Sequence, residues 1–181
     1  MNARRIGLAA WGVAIVIILA GAFADAAGLR INTTASLPRG LWRVVATPEA
    51  VRVGDVVTFC PPLNAAMELA RDRGYVAGGA CPGAIEPMMK PVVAMGGDTV
   101  EMSAQGVAVN GMAITRSASL PRDGAGRPLP LALPGPIVVS HGQIWVVSSH
   151  SARSFDSRYF GPISRDHLTA ILRPVWTEAA P

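Results

Sequence analysis

Lys90 is the residue with the clearest chemical potential, because it is the only lysine in a chain that also contains fifteen arginines. Arginine stays protonated at any pH that a cell reaches, whereas a lysine amine loses its proton once it is moved out of water. The neighbours of Lys90 in the stretch 88–95 are mostly apolar. This placement favours an amine that acts as a base, although a single lysine left on the surface would give the same composition.

A serine in a rigid bend could serve as the nucleophile for such a base. Ser36 lies in the stretch 32–42, where Pro38 fixes one backbone angle and Gly40 permits a turn. The Ser36 hydroxyl would then be presented rather than packed. Taken alone, the stretch is also typical of an ordinary loop of small polar residues.

A third stretch, 148–162, is dense in hydroxyl and charged side chains and lies between two apolar segments. Loops of this composition often carry function, although a capped surface turn has a similar composition. A Ser-His-Asp hydrolase is an alternative interpretation, with His141, His150 or His167 and Asp156 or Asp166 as the partners. No Gly-x-Ser-x-Gly motif is present, however, and that alternative leaves Lys90 unexplained.

In this order behind an apolar N-terminal segment, the three stretches resemble the signal peptidase I (S26) family of serine–lysine proteases. Within that family they are most similar to the conjugal-transfer (TraF-type) signal peptidases. The stretch 36–42 resembles the nucleophile box, 90–100 the lysine box, and 154–162 the C-terminal box. The last of these is the most specific, and the resemblance covers most of the chain after residue 30.

The resemblance implies a role for each matching residue. Ser36 is the nucleophile, and Lys90 is the general base that takes its proton. Thr34 contributes a hydroxyl to the oxyanion hole, together with the backbone N–H of Ser36. For Lys90 to be neutral, burial must lower its pKa from about 10.4 toward about 8.

The C-terminal box supplies the supporting residues. The resemblance implies that Ser154 hydrogen-bonds to Lys90 and orients it, and that Asp156 and Arg158 form an ion pair. The sequence departs from the general leader peptidases at 148–150, where Ser-Ser-His stands in place of Gly-Asp-Asn. It also has one residue, rather than two, between the serine and its proline. Both departures resemble the conjugal-transfer subgroup.

The N-terminal segment predicts a membrane anchor. Residues 6–24 carry no charge and are long enough, at about 1.5 Å per residue, to cross a bilayer core of about 30 Å. Arg4 and Arg5 precede this run and favour a cytoplasmic N-terminus over residues 1–5. We therefore expect an inner-membrane protein of bacteria with a periplasmic domain over 25–181. A cleaved signal peptide ending near Ala24 is the alternative.

The rest of the chain predicts a mainly β fold, a signal-peptidase-like sheet domain with one short helix. Asn64 is a candidate N-cap of that helix and Gly74 its stop. The expected strands, short and rich in β-branched residues, are 41–46, 53–59, 89–95, 99–102, 107–110, 137–140, 143–148 and 168–176. Gln105-Gly106 and Asn110-Gly111 indicate tight hairpins. The proline-rich stretch 117–136 is expected to be a long loop.

Two cysteines, Cys60 and Cys81, suit a disulfide in an exported domain, and a free buried pair is the alternative. No metal-ligand spacing or cofactor motif is present, so we expect neither. Without the two N-terminal arginines, the charged residues nearly balance, and no basic run indicates nucleic acid. The expected partners are a precursor protein and membrane lipid.

The predicted function is a membrane-anchored serine endopeptidase that processes exported precursors. The resemblance implies conjugative pilin subunits as substrates, which the enzyme would cleave and in some systems cyclise. The alternative is a catalytically inactive, membrane-anchored assembly factor of a conjugative secretion apparatus. A self-cleaving repressor domain shares the serine–lysine pair, but no DNA-binding half is present.

Overall fold

The computed structural model describes residues 3–103, 105–133 and 135–179. It begins with helix α1, Ala3–Ala26. No helix in the described part of the chain meets the length and hydropathy of a membrane span. The transmembrane helix expected over 6–24 therefore stays a prediction. Residues 1 and 2 of the expected cytoplasmic terminus lie outside the described residues, as do the last two residues of the expected periplasmic domain.

Strands dominate the chain after α1, and the expectation of a mainly β fold is confirmed. In chain order they are β1 Leu29–Asn32, β2 Gly40–Ala46, β3 Val56–Phe59, β4 Gly78–Cys81, β5 Met88–Met95, β6 Thr99–Ser103, β7 Gly106–Val109, β8 Met112–Ala113, β9 Ile137–Val138, β10 Gln143–Val146, β11 Ile163–Ser164 and β12 Leu168–Thr177. Helices α2, Ala65–Asp72, and α3, Ser157–Phe160, interrupt them. Single 3-10 turns occupy Pro48–Ala50 and Arg165–His167.

Eleven of the twelve described strands form two antiparallel sheets, and β4 makes only isolated bridges, to Ile85. The larger sheet has seven strands in the order β1-β2-β12-β3-β5-β10-β11, and the smaller has four in the order β8-β7-β6-β9. The main core lies against the larger sheet and contains the buried side chains of Phe59, Met67 and Ile144. A second core around Trp145 and Val100 joins the smaller sheet to it.

Strand β5 is the element that positions the lysine. It lies inside the larger sheet, paired with β3 on one side and β10 on the other. Its residues alternate between buried and half-buried along the whole strand, as the two-residue repeat of a strand requires. Lys90 therefore occupies an inward-facing position on the same face as Met88 and Val92. An amine at such a position loses most of its contact with water.

The predicted hairpins follow from their turn residues. Asn110 and Gly111 have φ values of 51° and 78°, so both adopt the left-handed conformation that a two-residue turn between β7 and β8 requires. Strands β6 and β7 pair from Val100 with Val109 to Ser103 with Gly106. The turn at Asn110-Gly111 is confirmed, whereas Gly106 of the turn expected at Gln105-Gly106 is already the first residue of β7 and pairs with Ser103.

The expectation of one short helix was wrong, because two short helices are present. Helix α2 begins as predicted, with the side chain of Asn64 accepting a hydrogen bond from the Met67 N–H, and the chain leaves it at Gly74, with φ of 70°. The unpredicted helix α3 is one turn long, capped by Asp156. A single turn is too short to produce a helical repeat in the sequence.

Four strands were not predicted, namely β1, β4, β8 and β11. Each has four residues or fewer, and β4 has the sequence Gly-Gly-Ala-Cys, which has low strand propensity. Strand β3 begins three residues later than expected, because the Asp55 carboxylate accepts the Arg52 N–H and closes a turn. Strand β10 ends two residues earlier than expected, at Val146, whose N–H donates to the Ser157 hydroxyl.

The loops that surround the lysine are fastened to the sheets. Cys60 and Cys81 form a disulfide, with their Cα atoms 5.4 Å apart, as the sequence predicted. In its described residues, the proline-rich stretch 117–136 contains no helix and no named strand, which agrees with the expected loop. Arg158 holds the start of this loop, because its Nη1 donates hydrogen bonds to the carbonyls of Ser117 and Ala118.

Candidate active site

Ser36 and Lys90 meet at the edge of a cleft. The bend between β1 and β2 carries the serine, and β5 carries the lysine. Lys90 Nζ lies 2.8 Å from Ser36 Oγ and donates a hydrogen bond to it. In the described part of the chain, the other hydrogen bond of this hydroxyl is to Thr34 Oγ1, at 3.1 Å. Neither of these two hydrogen bonds involves a histidine, so the geometry favours the Lys90 amine over a histidine as the base.

Lys90 is buried, with only 5% of its surface exposed. Burial lowers the pKa of its amine from 10.5 to about 8, because a charged ammonium is disfavoured away from water. The charge of Asp156 acts in the opposite direction and raises the pKa, while Arg158 lowers it. An appreciable fraction of the amine is therefore neutral at physiological pH and able to accept a proton.

Asn32, the last residue of β1, organises the bend that carries the serine. Its buried side-chain amide donates to the carbonyls of Leu37 and Pro38, and its Oδ1 accepts from the Thr34 hydroxyl at 2.9 Å. A hydroxyl has one hydrogen, so Thr34 accepts from Ser36 in this arrangement. Its role at an oxyanion stays a prediction.

The predicted ion pair between Asp156 and Arg158 is present and fully buried. It is bidentate, with Arg158 Nε donating to one carboxylate oxygen at 2.7 Å and Nη2 to the other at 2.8 Å. Arg158 Nη2 also donates a hydrogen bond to the Ser154 carbonyl, at 3.0 Å. Since paired charges that satisfy their remaining polar atoms tolerate burial, the pair can support the loop rigidly.

The predicted hydrogen bond between Ser154 and Lys90 is not formed. Ser154 is buried and lines the same cleft as Lys90, but its hydroxyl has no hydrogen-bond partner within the described residues. The amine is directed at Ser36 instead. A buried hydroxyl without a partner is rare, because it forfeits its hydration without compensation.

The place of Ser148 in this site was not predicted from the sequence. Ser148 is fully buried, and its hydroxyl donates to the carbonyl oxygen of Ser36. Its backbone N–H donates to the Asp156 carboxylate at 3.1 Å. The signal in the sequence was the departure at 148–150, where a hydroxyl replaces glycine, but the contact itself joins residues more than a hundred positions apart.

The cleft has a volume of about 730 Å³ and is large enough for several residues of a peptide. Ser36 and Lys90 lie on one wall. Leu120 and Leu129, from the proline-rich loop, contribute apolar surface. No group of three or more histidine, cysteine, aspartate or glutamate side chains that could hold a metal ion occurs in the described ranges.

Comparison with known proteins identifies related sequences over nearly the whole length. Residues 4–176 match the family described as signal peptidase, peptidase S26. The plasmid transfer protein TraF of Escherichia coli is 41% identical over 171 residues, which is 94% of each chain. The conjugal transfer protein TraF of Agrobacterium tumefaciens (strain 15955) is 38% identical over 177 residues, which is 98% of each chain.

A further relative is the probable conjugal transfer protein TraF of Sinorhizobium fredii (strain NBRC 101917 / NGR234), 41% identical over 174 residues that cover 96% of this chain and 89% of the relative. Among solved structures, a signal peptidase I from Enterococcus faecalis V583 covers 67% of this chain and 95% of its own. Its TM-score is 0.38 and its sequence identity 18%, so it does not bear on the arrangement of the site.

Proposed function

The chain belongs to the signal peptidase family, peptidase S26, and on that basis we propose that it is a serine endopeptidase in which Ser36 and Lys90 form the catalytic dyad. The observation that carries the proposal is the 2.8 Å contact between Lys90 Nζ and Ser36 Oγ. The amine is buried, and its pKa is lowered to about 8. A serine hydroxyl is a weak nucleophile until a neighbouring base removes its proton, and this amine is placed to do so.

The proposed reaction has two steps. In the first, neutral Lys90 takes the Ser36 proton as Oγ bonds to the substrate carbonyl carbon. The resulting ammonium then protonates the leaving amine as the peptide bond breaks, which leaves an ester at Ser36. In the second step, Lys90 takes a proton from water, or from a peptide amine, as that molecule attacks the ester. Ser36 recovers its proton, and the product is either a cleaved or a cyclised peptide.

We propose that the Ser36 N–H and the Thr34 hydroxyl stabilise the oxyanion formed in both steps. In the resting arrangement the Thr34 hydroxyl donates to Asn32, so it would have to rotate toward the developing charge. The loss of one oxyanion donor typically lowers the rate by about 100- to 1,000-fold. Ser154, with its free buried hydroxyl in the cleft, is the proposed partner of the Lys90 ammonium once the Ser36 proton has moved.

Membership of the family implies a precursor protein as substrate. The relatives are named for plasmid and conjugal transfer, and we propose that the substrates are conjugative pilin precursors. We also propose that residues 6–24 anchor the enzyme in the bacterial inner membrane, with the catalytic domain in the periplasm. An uncharged run of this length behind two arginines supports that location.

The test is co-expression of each enzyme variant with the precursor pilin of its own conjugative system, followed by intact-mass measurement of the pilin. We expect processing by the wild type and only precursor with Ser36→Ala or Lys90→Arg. The arginine variant is the sharper one, because it keeps a positive charge but cannot accept a proton. Protein level and membrane fraction serve as controls. Processing by both variants would refute the dyad and favour an inactive assembly factor.

A further inference from the structure

We propose that Ser148 is a positioning residue for Ser36, which it holds by the backbone rather than by the reacting hydroxyl. The inference rests on the proposed function, since it assigns Ser148 a part in the same reaction. Ser148 lies just beyond β10, at the start of the stretch 148–162. It is fully buried, and its hydroxyl donates to the Ser36 carbonyl oxygen.

The nucleophile's bend is held at three successive carbonyl groups. Ser148 holds the carbonyl of Ser36, and the Asn32 amide holds those of Leu37 and Pro38 at 3.0 and 3.1 Å. Both holding side chains are buried. With these three peptide planes fixed, little freedom is left in the backbone of Ser36, and its hydroxyl stays within reach of Lys90. Productive geometry of this kind is sensitive to displacements of about 1 Å.

Ser148 is itself held by two further hydrogen bonds. Its N–H donates to Asp156 Oδ2 at 3.1 Å, and its hydroxyl oxygen accepts the His150 N–H at 3.1 Å. Because a hydroxyl has one hydrogen, the bond from His150 leaves that hydrogen free to be aimed at the Ser36 carbonyl. The hydroxyl therefore has one orientation that satisfies all of its partners.

The contact links two parts of the site that are far apart in sequence. In the described part of the chain, the Ser148 hydroxyl makes the one hydrogen bond between the stretch 148–162 and the nucleophile's bend. The Asp156–Arg158 pair holds the Ser148 backbone, and Ser148 holds the Ser36 backbone. The buried ion pair thus acts on the nucleophile through Ser148.

A positioning role and an electrostatic role predict different pH behaviour. The groups that shift the pKa of Lys90, apart from burial itself, are Asp156, Arg158 and Glu86. Ser148 is not among them, and it carries no charge. Its removal should therefore lower the rate at every pH without moving the pH at which activity reaches half of its maximum.

The experiment compares Ser148→Ala with Ser117→Ala in the full-length enzyme, using a peptide that spans the junction cleaved by the wild type in its pilin precursor. Ser117 is a matched control, since it is also fully buried and its hydroxyl accepts a backbone N–H, from Val107 at 2.8 Å, and donates to the Ile114 carbonyl. It does not contact the nucleophile's bend. We expect Ser148→Ala to lower kcat by about 10- to 100-fold with KM nearly unchanged. Ser117→Ala should keep kcat within about threefold at a similar loss of Tm.

Ser148→Cys provides a second variant if the alanine variant folds poorly, because it keeps the side chain's size and a weak S–H donor. Its kcat should lie between those of the wild type and Ser148→Ala. A wild-type kcat in Ser148→Ala, a shifted pH midpoint, or equal losses of kcat in Ser148→Ala and Ser117→Ala would each overturn the proposal. Ser36→Ala, measured alongside, tests the proposed function separately, since it must be inactive whatever Ser148 does.

Discussion

At the scale of the residue, the site depends on a lysine kept in an unfavourable place. The amine of Lys90 is buried among apolar side chains. Asp156, the acid that raises the pKa of this amine most, is already paired with Arg158. Without an acid of its own, the amine is not held in its charged form. The same burial that would let it act as a base therefore costs the protein stability.

Lys90→Met should give a more stable but inactive enzyme. Lowering the pKa from 10.5 to about 8 corresponds to about 3 kcal/mol of unfolding free energy lost at neutral pH. The hydrogen bond to Ser36 offsets about 1 kcal/mol of this, so the variant should gain about 2 kcal/mol. Equilibrium unfolding by denaturant measures the difference.

The sign of this effect depends on pH. Between about 8 and 10.5 the unfolded chain binds more protons at this position than the folded chain does, so wild-type stability rises across that range. The advantage of Lys90→Met should be largest below pH 8 and should disappear above 10.5. A variant that is no more stable than the wild type at neutral pH would contradict the burial cost.

At the scale of the element, strand β5 and the stretch 148–162 carry the site. The alternating burial along β5 directs Lys90 inward. The apolar neighbours of Lys90 predicted a desolvated amine, but the strand is apolar at nearly every position and does not itself show which face the lysine occupies. The contact of Ser148 with Ser36 could not be predicted, because it depends on how β10 ends. The pairing of β10 with β5 shifts register between Trp145 and Val146. A register shift is set by packing across the sheet rather than by local composition.

Removing one partner of the buried ion pair should destabilise the fold strongly. Arg158→Met leaves the Asp156 carboxylate buried and unpaired, which typically costs about 3–5 kcal/mol of unfolding free energy. Arg30→Met is a matched control, because Arg30 pairs with Asp25 at an exposed position. That pair should contribute no more than about 1 kcal/mol. Denaturation of both variants measures the difference, and equal losses would refute the structural role of the buried pair.

At the scale of the whole molecule, the order of the segments along the chain predicted most of the arrangement. Three stretches that are distant in sequence indicated Ser36, Lys90 and the Asp156–Arg158 pair, and the fold brings them into one region. The short strands and the one-turn helix α3 escaped prediction, because elements of four residues or fewer carry no recognisable repeat. The sequence also could not predict that the Ser154 hydroxyl has no hydrogen-bond partner among the described residues. That outcome depends on Lys90 contacting Ser36 rather than Ser154.

The N-terminal segment makes a prediction for the intact protein in cells. If residues 6–24 are a retained anchor, the full-length enzyme should stay with the membrane fraction after washing with high salt and alkali. The uncharged run supports this expectation. A mature protein found in the soluble fraction with Asp25 as its first residue would show instead that the segment is a cleaved signal peptide.

The proposed dyad requires that an appreciable fraction of the Lys90 amine beside Ser36 be neutral at physiological pH. Because Lys90 is the only lysine in the chain, labelling with lysine that carries ¹³C at the ε position gives a single side-chain NMR signal from the folded protein. That signal should titrate with a midpoint near 8. A midpoint near 10.5, the ordinary value for lysine, would contradict the account, since the amine would then be charged where the enzyme works.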